Sequence, residues 1–121
     1  MATLRYIVND VDAAIDFYTN QLGFDLEEHM GAPFASVSYG DLTVWLAGPG
    51  SSARRPMPDG RLAEPGGWNR LVIEVTNIDD LVAKLQSMGV VFRNQPLRGP
   101  GGTQVVIEDP SGNAIELFQP A

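Results

Sequence analysis

The chain contains the same pattern twice, and that repetition limits its fold more than any single motif does. Val8-Asn9-Asp10-Val11-Asp12 superposes on Val75-Thr76-Asn77-Ile78-Asp79 at an offset of 67, and Gly23 superposes on Gly89 at 66. Gly40-Asp41-Leu42-Thr43-Val44-Trp45-Leu46 lies on Ser111-Gly112-Asn113-Ala114-Ile115-Glu116-Leu117 at an offset of 71. The step from 67 to 66 is a one-residue gap inside the helix of each copy. A supersecondary unit used twice sets the architecture before any local reading is attempted.

Each copy opens on a short apolar strand, residues 3–8 and 70–75. A polar cap follows, Asn9-Asp10 or Asn77, and then apolar residues at helical spacing. These are Val11, Ala14, Ile15, Tyr18 and Leu22 in the first copy, and Ile78, Leu81, Val82 and Leu85 in the second. Gly23 and Gly89 stand where a helix C-terminus takes a left-handed residue. Three strands then follow in each copy: residues 24–29, 34–39 and 42–47, and residues 90–93, 103–108 and 113–118. Asp109-Pro110-Ser111-Gly112 makes the last pair a hairpin, because proline presets one corner and glycine tolerates positive φ at the exit. The chain therefore reads as α+β, two βαβββ modules in one 121-residue domain, with module one at about 1–47 and module two at about 69–121.

Between the modules, residues 48–68 interleave Pro49, Pro56, Pro58 and Pro65 with five glycines, and carry Arg54, Arg55 and Arg61. A structureless connection of that length is usually functional or disordered. Two readings apply: a linker with solvated arginines, or a lid that turns its arginines or Met57 toward a ligand.

Several function classes are excluded by composition. Fifteen acidic against eight basic residues give a net charge of −7, which repels nucleic acid and anionic membrane surfaces, so neither is an expected partner. There is no cysteine, which removes thiolate nucleophiles and cysteine metal sites and agrees with a reducing compartment. The sequence shows no signal-peptide run and no membrane-span stretch, so the expected location is cytoplasmic. His29, the single histidine, rules out mechanisms needing two imidazoles. It sits at a strand end and reads as a structural residue rather than a base. No nucleophile elbow is present, and Gly99-Pro100-Gly101-Gly102 precedes a strand rather than the helix that phosphate capture requires.

Ile15-Asp16-Phe17-Tyr18 with Leu22-Gly23-Phe24 in module one, and Glu108-Asp109-Pro110-Ser111-Gly112 with Ile115-Glu116-Leu117 in module two, resemble the vicinal oxygen chelate superfamily. That superfamily includes glyoxalase I, extradiol dioxygenases, and fosfomycin and bleomycin resistance proteins. The resemblance implies paired modules whose strands curve into a partly closed, barrel-like mixed sheet around a cavity, with the helices outside. It also implies a homodimer, since sheet edges in this superfamily are commonly covered by a second chain. Metal-using members place ligands on the first and last strands of each module, which here are Thr3, Trp45, Arg70 and Glu116.

Of those four only Glu116 ligates a metal well. Arginine has no lone pair to give, tryptophan offers only an indole N–H, and a threonine hydroxyl is a feeble ligand. One carboxylate does not hold a catalytic cation, for which three protein ligands are usual at zinc. No metal and no other cofactor is therefore expected. The alternative to an ion is a pair between the Arg70 guanidinium and the Glu116 carboxylate, with N–H donors to spare for a ligand. Strand parity adds Arg5 to the face of Thr3 and Trp45, and Phe118 to that of Glu116, so the expected ligand-binding set is Thr3, Arg5, Trp45, Arg70, Glu116 and Phe118.

The first functional expectation is a metal-independent small-molecule binder, similar to bleomycin resistance proteins, with a small organic molecule as partner. The alternative is a lyase or isomerase similar to glyoxalase I with an altered or metal-free site, in which Glu116 is the candidate general base. A third reading is a dimeric scaffold. Apolar walls with a few convergent polar groups describe a small-molecule pocket but do not name the molecule.

Overall fold

A computed structural model describes residues 2–121, and the chain divides into two compact units. The first comprises residues up to Gly66 together with Pro110–Asn113. It contains β1 (Thr3–Ile7), α1 (Val11–Asp16), a π-helical turn (Phe17–Gln21), β2 (Asp25–His29), β3 (Phe34–Tyr39) and β4 (Leu42–Ala47). The strand order is β1-β4-β3-β2, with β1 parallel to β4 and the other pairs antiparallel.

Asp10 caps α1, its side chain accepting from the Ala13 amide at 3.1 Å. The π-helical turn absorbs the one-residue gap seen in the repeat. From Val8 to Gly23 is 15 residues against 14 from Val75 to Gly89, and a surplus residue in a helix widens one turn to i→i+5 bonding. The Leu22 amide indeed donates to the Phe17 carbonyl at 3.2 Å. That turn also carries Phe17 and Tyr18 into the core, where rings run edge to face from Phe17 through Tyr18 to Phe24 at centroid distances of 5.1 and 5.3 Å. Val8, Val11, Ala14, Val37, Val44 and Leu46 complete the core, each 2% exposed or less. Burying a side chain of this kind stabilises by about 1.5–3 kcal/mol. The outer strand β2 is exposed throughout, charged and irregular between Leu26 and Glu28, features that discourage edge pairing.

The second unit, Gly67–Asp109 with Ala114–Ala121, contains β5 (Leu71–Glu74), α2 (Ile78–Ser87), β6 (Val91–Phe92), β7 (Leu97–Gly99), β8 (Gly102–Glu108) and β9 (Ala114–Pro120). Its order is β5-β9-β8-β6, with β7 also on β8 and β5 parallel to β9. Asn77 caps α2, and Gly89 follows it at φ 79°, matching Gly23 at φ 81° after the first helix. Ile78, Val82 and Leu85 face inward.

Two sequence-based expectations need correction. The one partly closed, barrel-like sheet that was expected is instead two sheets, and no closed barrel is found among the described residues: each hydrogen-bond ladder ends at an edge strand, β1 and β2 in one, β5 and β6 in the other. The modules also do not share one βαβββ order. In the second, the strand expected at 90–93 is only two residues long, and the unexpected β7 follows it. Asn94-Gln95-Pro96 causes this break. The Asn94 side chain accepts from the Val106 amide at 2.9 Å, where a ladder carbonyl would stand, and Pro96 has no N–H to continue the pairing. No helix among the described residues is long and apolar enough to cross a membrane.

Candidate functional site

Glu116 stands on β9, an interior strand of the second sheet, opposite Val72 on one side and Val106 on the other. Its side chain is only 12% exposed, so its charge needs a partner. Arg70 supplies it. Arg70 lies one residue before β5 and, two positions before Val72, projects on the face that Glu116 shares. Its Nε and Nη2 approach Oε1 of Glu116 at 3.0 and 2.9 Å, and its Nη1 donates to the Trp68 carbonyl at 3.3 Å. Oε2 of Glu116 takes no hydrogen bond among the described residues. A guanidinium has five N–H donors, and these contacts engage three, which leaves two for a ligand. The pair can therefore present both a donor edge and an acceptor oxygen.

The other expected residues fall on two sheets. In the first unit Arg5 is directly across from Trp45, its Cζ 5.0 Å from the ring centroid, and Thr3 is across from Thr43 on the same face. Phe34 meets the Trp45 ring edge-on at 6.0 Å. Trp45 is 38% exposed, so it is a surface aromatic and not core. In the second unit Phe118 is across from Glu74 and Gln104, on the Glu116 face. His29 lies 3.3 Å from Asp12, both exposed.

Two arginines of the 48–68 connection are engaged locally instead of reaching outward as a lid. Arg54, in a 3₁₀ turn at Ser52–Arg54, donates to the Val8 carbonyl at 2.9 Å. Arg61 pairs with Asp59 at 2.7 Å inside a small turn of its own.

Sequence reasoning missed two clusters. Asn113, 3% exposed, donates to the Ile7 carbonyl at 2.8 Å and accepts from the Gly66 amide at 2.9 Å. Arg93 pairs with Glu108 at 2.9 Å, donates to the Gly67 carbonyl at 2.7 Å, and stacks over the Trp68 ring at 4.7 Å. The glycines beside Trp68 marked a turn but did not reveal the partner of the ring.

Among the described residues no three His, Cys, Asp or Glu side chains gather as a metal-ion cluster. The donor set at the four positions expected from the resemblance does not fit a divalent cation: its one carboxylate already accepts from a guanidinium, and the other three residues are Thr3, Trp45 and Arg70.

The two open α+β sheets with sparse helices define the class, and the profile of the Glyoxalase/Bleomycin resistance protein/Dioxygenase superfamily matches residues 1–117. The chain belongs to that superfamily. It is 28% identical over 120 residues to a bleomycin resistance protein of Geobacillus stearothermophilus, covering 93% of this chain and 90% of the relative. Among solved structures it resembles TnmS3, an antibiotic binding protein from Streptomyces sp. CB03234, at 29% identity and TM-score 0.71, covering 100% of this chain and 97% of the other. It also shares the fold of a lactoylglutathione lyase from Agrobacterium tumefaciens at TM-score 0.77 and 19% identity, covering 98% and 92% of the two chains.

Proposed function

We propose that this chain is a metal-independent small-molecule-binding protein of the drug-sequestering kind, cytoplasmic and homodimeric. The observation that carries the reading is the ion pair of Arg70 and Glu116, at two of the positions that the superfamily resemblance implies for metal ligands. A guanidinium in that place repels a cation, and the pair's remaining donors and acceptor suit an organic molecule bearing carbonyl and N–H groups. Phe118 supplies an apolar wall on the same sheet face. Thr3, Arg5 and Trp45 are proposed ligand contacts in the first unit, with the Arg5–Trp45 stack offering a flat, cation-backed surface. Likeness to a bleomycin resistance protein and to an antibiotic binding protein supports sequestration over turnover.

The second reading, a lyase using Glu116 as general base, draws on the fold shared with the lactoylglutathione lyase. The decisive experiment combines elemental analysis of the purified protein, calorimetric titration with bleomycin and a panel of other antibiotics, and an assay for lactoylglutathione formation. Sequestration predicts substoichiometric metal, saturable binding of at least one compound that weakens at least tenfold in Arg70→Ala, and no turnover. Stoichiometric metal lost in Glu116→Gln, or turnover that depends on Glu116, would overturn it. Light scattering during size-exclusion chromatography tests the dimer.

A further inference from the structure

β7, β8 and β9 hold Leu97, Gln104 and Phe118 in one register row, and the next row on the same face is Gly99, Gly102 and Pro120. A row of full side chains therefore stands beside a row with two glycines. The step between them is a pocket of about 190 Å³, whose lining combines the first row with Arg98 and the glycines at 99, 101 and 102. A cavity of about 150 Å³ holds a benzene ring. This pocket accommodates one ring-sized group.

Backbone geometry does not explain all of these glycines. Ten of the thirteen in the chain take a positive φ, Gly102 among them, and Gly48 leaves no room for a side chain against Ala32 and Val11. Gly99 and Gly101 have neither reason: their φ is not positive, and a Cβ on either would meet nothing within 4 Å. Gly99 moreover lies in a strand, where glycine costs stability and marks a close approach by another backbone or by a ligand. No other backbone comes that close to it.

The polar groups around this space restrict what fills it. Arg98 brings no free charge, because its Nη2 meets both carboxylate oxygens of Asp79 at 3.0 Å and its Nη1 donates to the Thr103 hydroxyl at 3.3 Å. Gln104 brings a side-chain amide with no hydrogen-bond partner among the described residues. A primary amide offers donors and an acceptor side by side, which another amide matches and a carboxylate or an ammonium matches only by half.

From these features we infer a binding pocket for a neutral, ring-sized group with a carboxamide- or lactam-like edge, seated over Gly99 and Gly101 and paired with the Gln104 amide. Phe118 belongs both to this pocket and to the ligand face proposed above, so the inference rests on that reading for the remainder of the ligand, while the pocket itself is tested with a fragment.

Titrations with benzamide, benzoate and benzylamine, three probes of one size that differ in charge, are followed by the NMR shifts of the Gly99 and Gly101 amides. The expected result is saturable binding of benzamide, tighter than that of either charged probe. Gly99→Leu should weaken it at least tenfold by filling the pocket, with a melting temperature no lower than the parent's. Gln104→Leu should reduce the preference for benzamide over benzoate at least threefold. Arg70→Ala should leave benzamide affinity unchanged, so an antibiotic panel without a binder would overturn the sequestration reading and leave this pocket standing. Absence of benzamide binding at millimolar concentration, retained affinity or a lowered melting temperature in Gly99→Leu, an unchanged preference in Gln104→Leu, or dependence on Arg70 would each overturn the inference.

Discussion

Glu116 lies beneath the surface of a sheet paired with Arg70, which reaches it from just outside β5, and the consequences of removing either residue are asymmetric. Arg70→Met leaves a carboxylate that is 12% exposed without its guanidinium, at an expected cost of about 2 kcal/mol, limited by the water that reaches Arg70's own 30% exposed position. The double variant Arg70→Met with Glu116→Leu removes both charges, and its stability should return to within about 1 kcal/mol of the parent. Urea unfolding of the four proteins in this cycle measures both values. A double variant as unstable as Arg70→Met alone would mean that the sheet face requires the pair itself. Asn113 is the second sensitive residue, since its buried amide both donates to Ile7 and accepts from Gly66. Asn113→Ala orphans both partners and should cost about 2–3 kcal/mol in the same assay, whereas Asn20→Ala, which loses one exposed bond, should cost less than about 0.5.

Among elements, the two helices are the same device with different residue counts, and this predicts different tolerance to deletion. The first has a spare residue, held in the π-helical turn at Phe17–Gln21. Deleting exposed Asn20 should let that turn relax to α geometry, with a stability loss of about 1 kcal/mol or less. α2 has no surplus. Deleting exposed Ala83 rotates Leu85 and the rest of the helix by about 100° off the core face, and burial of a leucine contributes about 2–3 kcal/mol, so this variant should lose at least that much. Thermal unfolding of the two deletions distinguishes them, and equal losses would show that the wide turn has a packing role of its own. Most of this was legible in the sequence: the caps at Asp10 and Asn77, the stops at Gly23 and Gly89, and the gap that became the π-helical turn all stem from local chemistry and the repeat. The pairing of Arg70 with Glu116 was legible too, because the superfamily resemblance implies that the first and last strands of a module face one cavity at these two positions, and the repeat offsets agree with that placement. The split of the outer strand was not, since it depends on the Asn94 side chain replacing a ladder carbonyl. Nor was the Trp68 cluster legible, because Arg93 lies beyond the end of β6 and no periodicity connects it to a ring 25 residues earlier.

For the whole molecule the question is the sign of the field a ligand meets. Arginines near a site ordinarily argue for an anionic ligand, but four of the eight basic residues, Arg61, Arg70, Arg93 and Arg98, are ion-paired with carboxylates. What remains at long range is the excess of fifteen acidic over eight basic residues. A cationic ligand should therefore be drawn in and an anionic one held off, most strongly at low salt, where the Debye length is about 30 Å at 0.01 M against about 3 Å at 1 M. Stopped-flow association of a cationic antibiotic that binds in the titration panel should slow severalfold between those concentrations, while its dissociation rate, set by short-range contacts, changes by less than about twofold. An association rate that does not vary with salt would show that the paired arginines still present positive charge to the approaching ligand, and the preference for cations would then have to arise from contact alone.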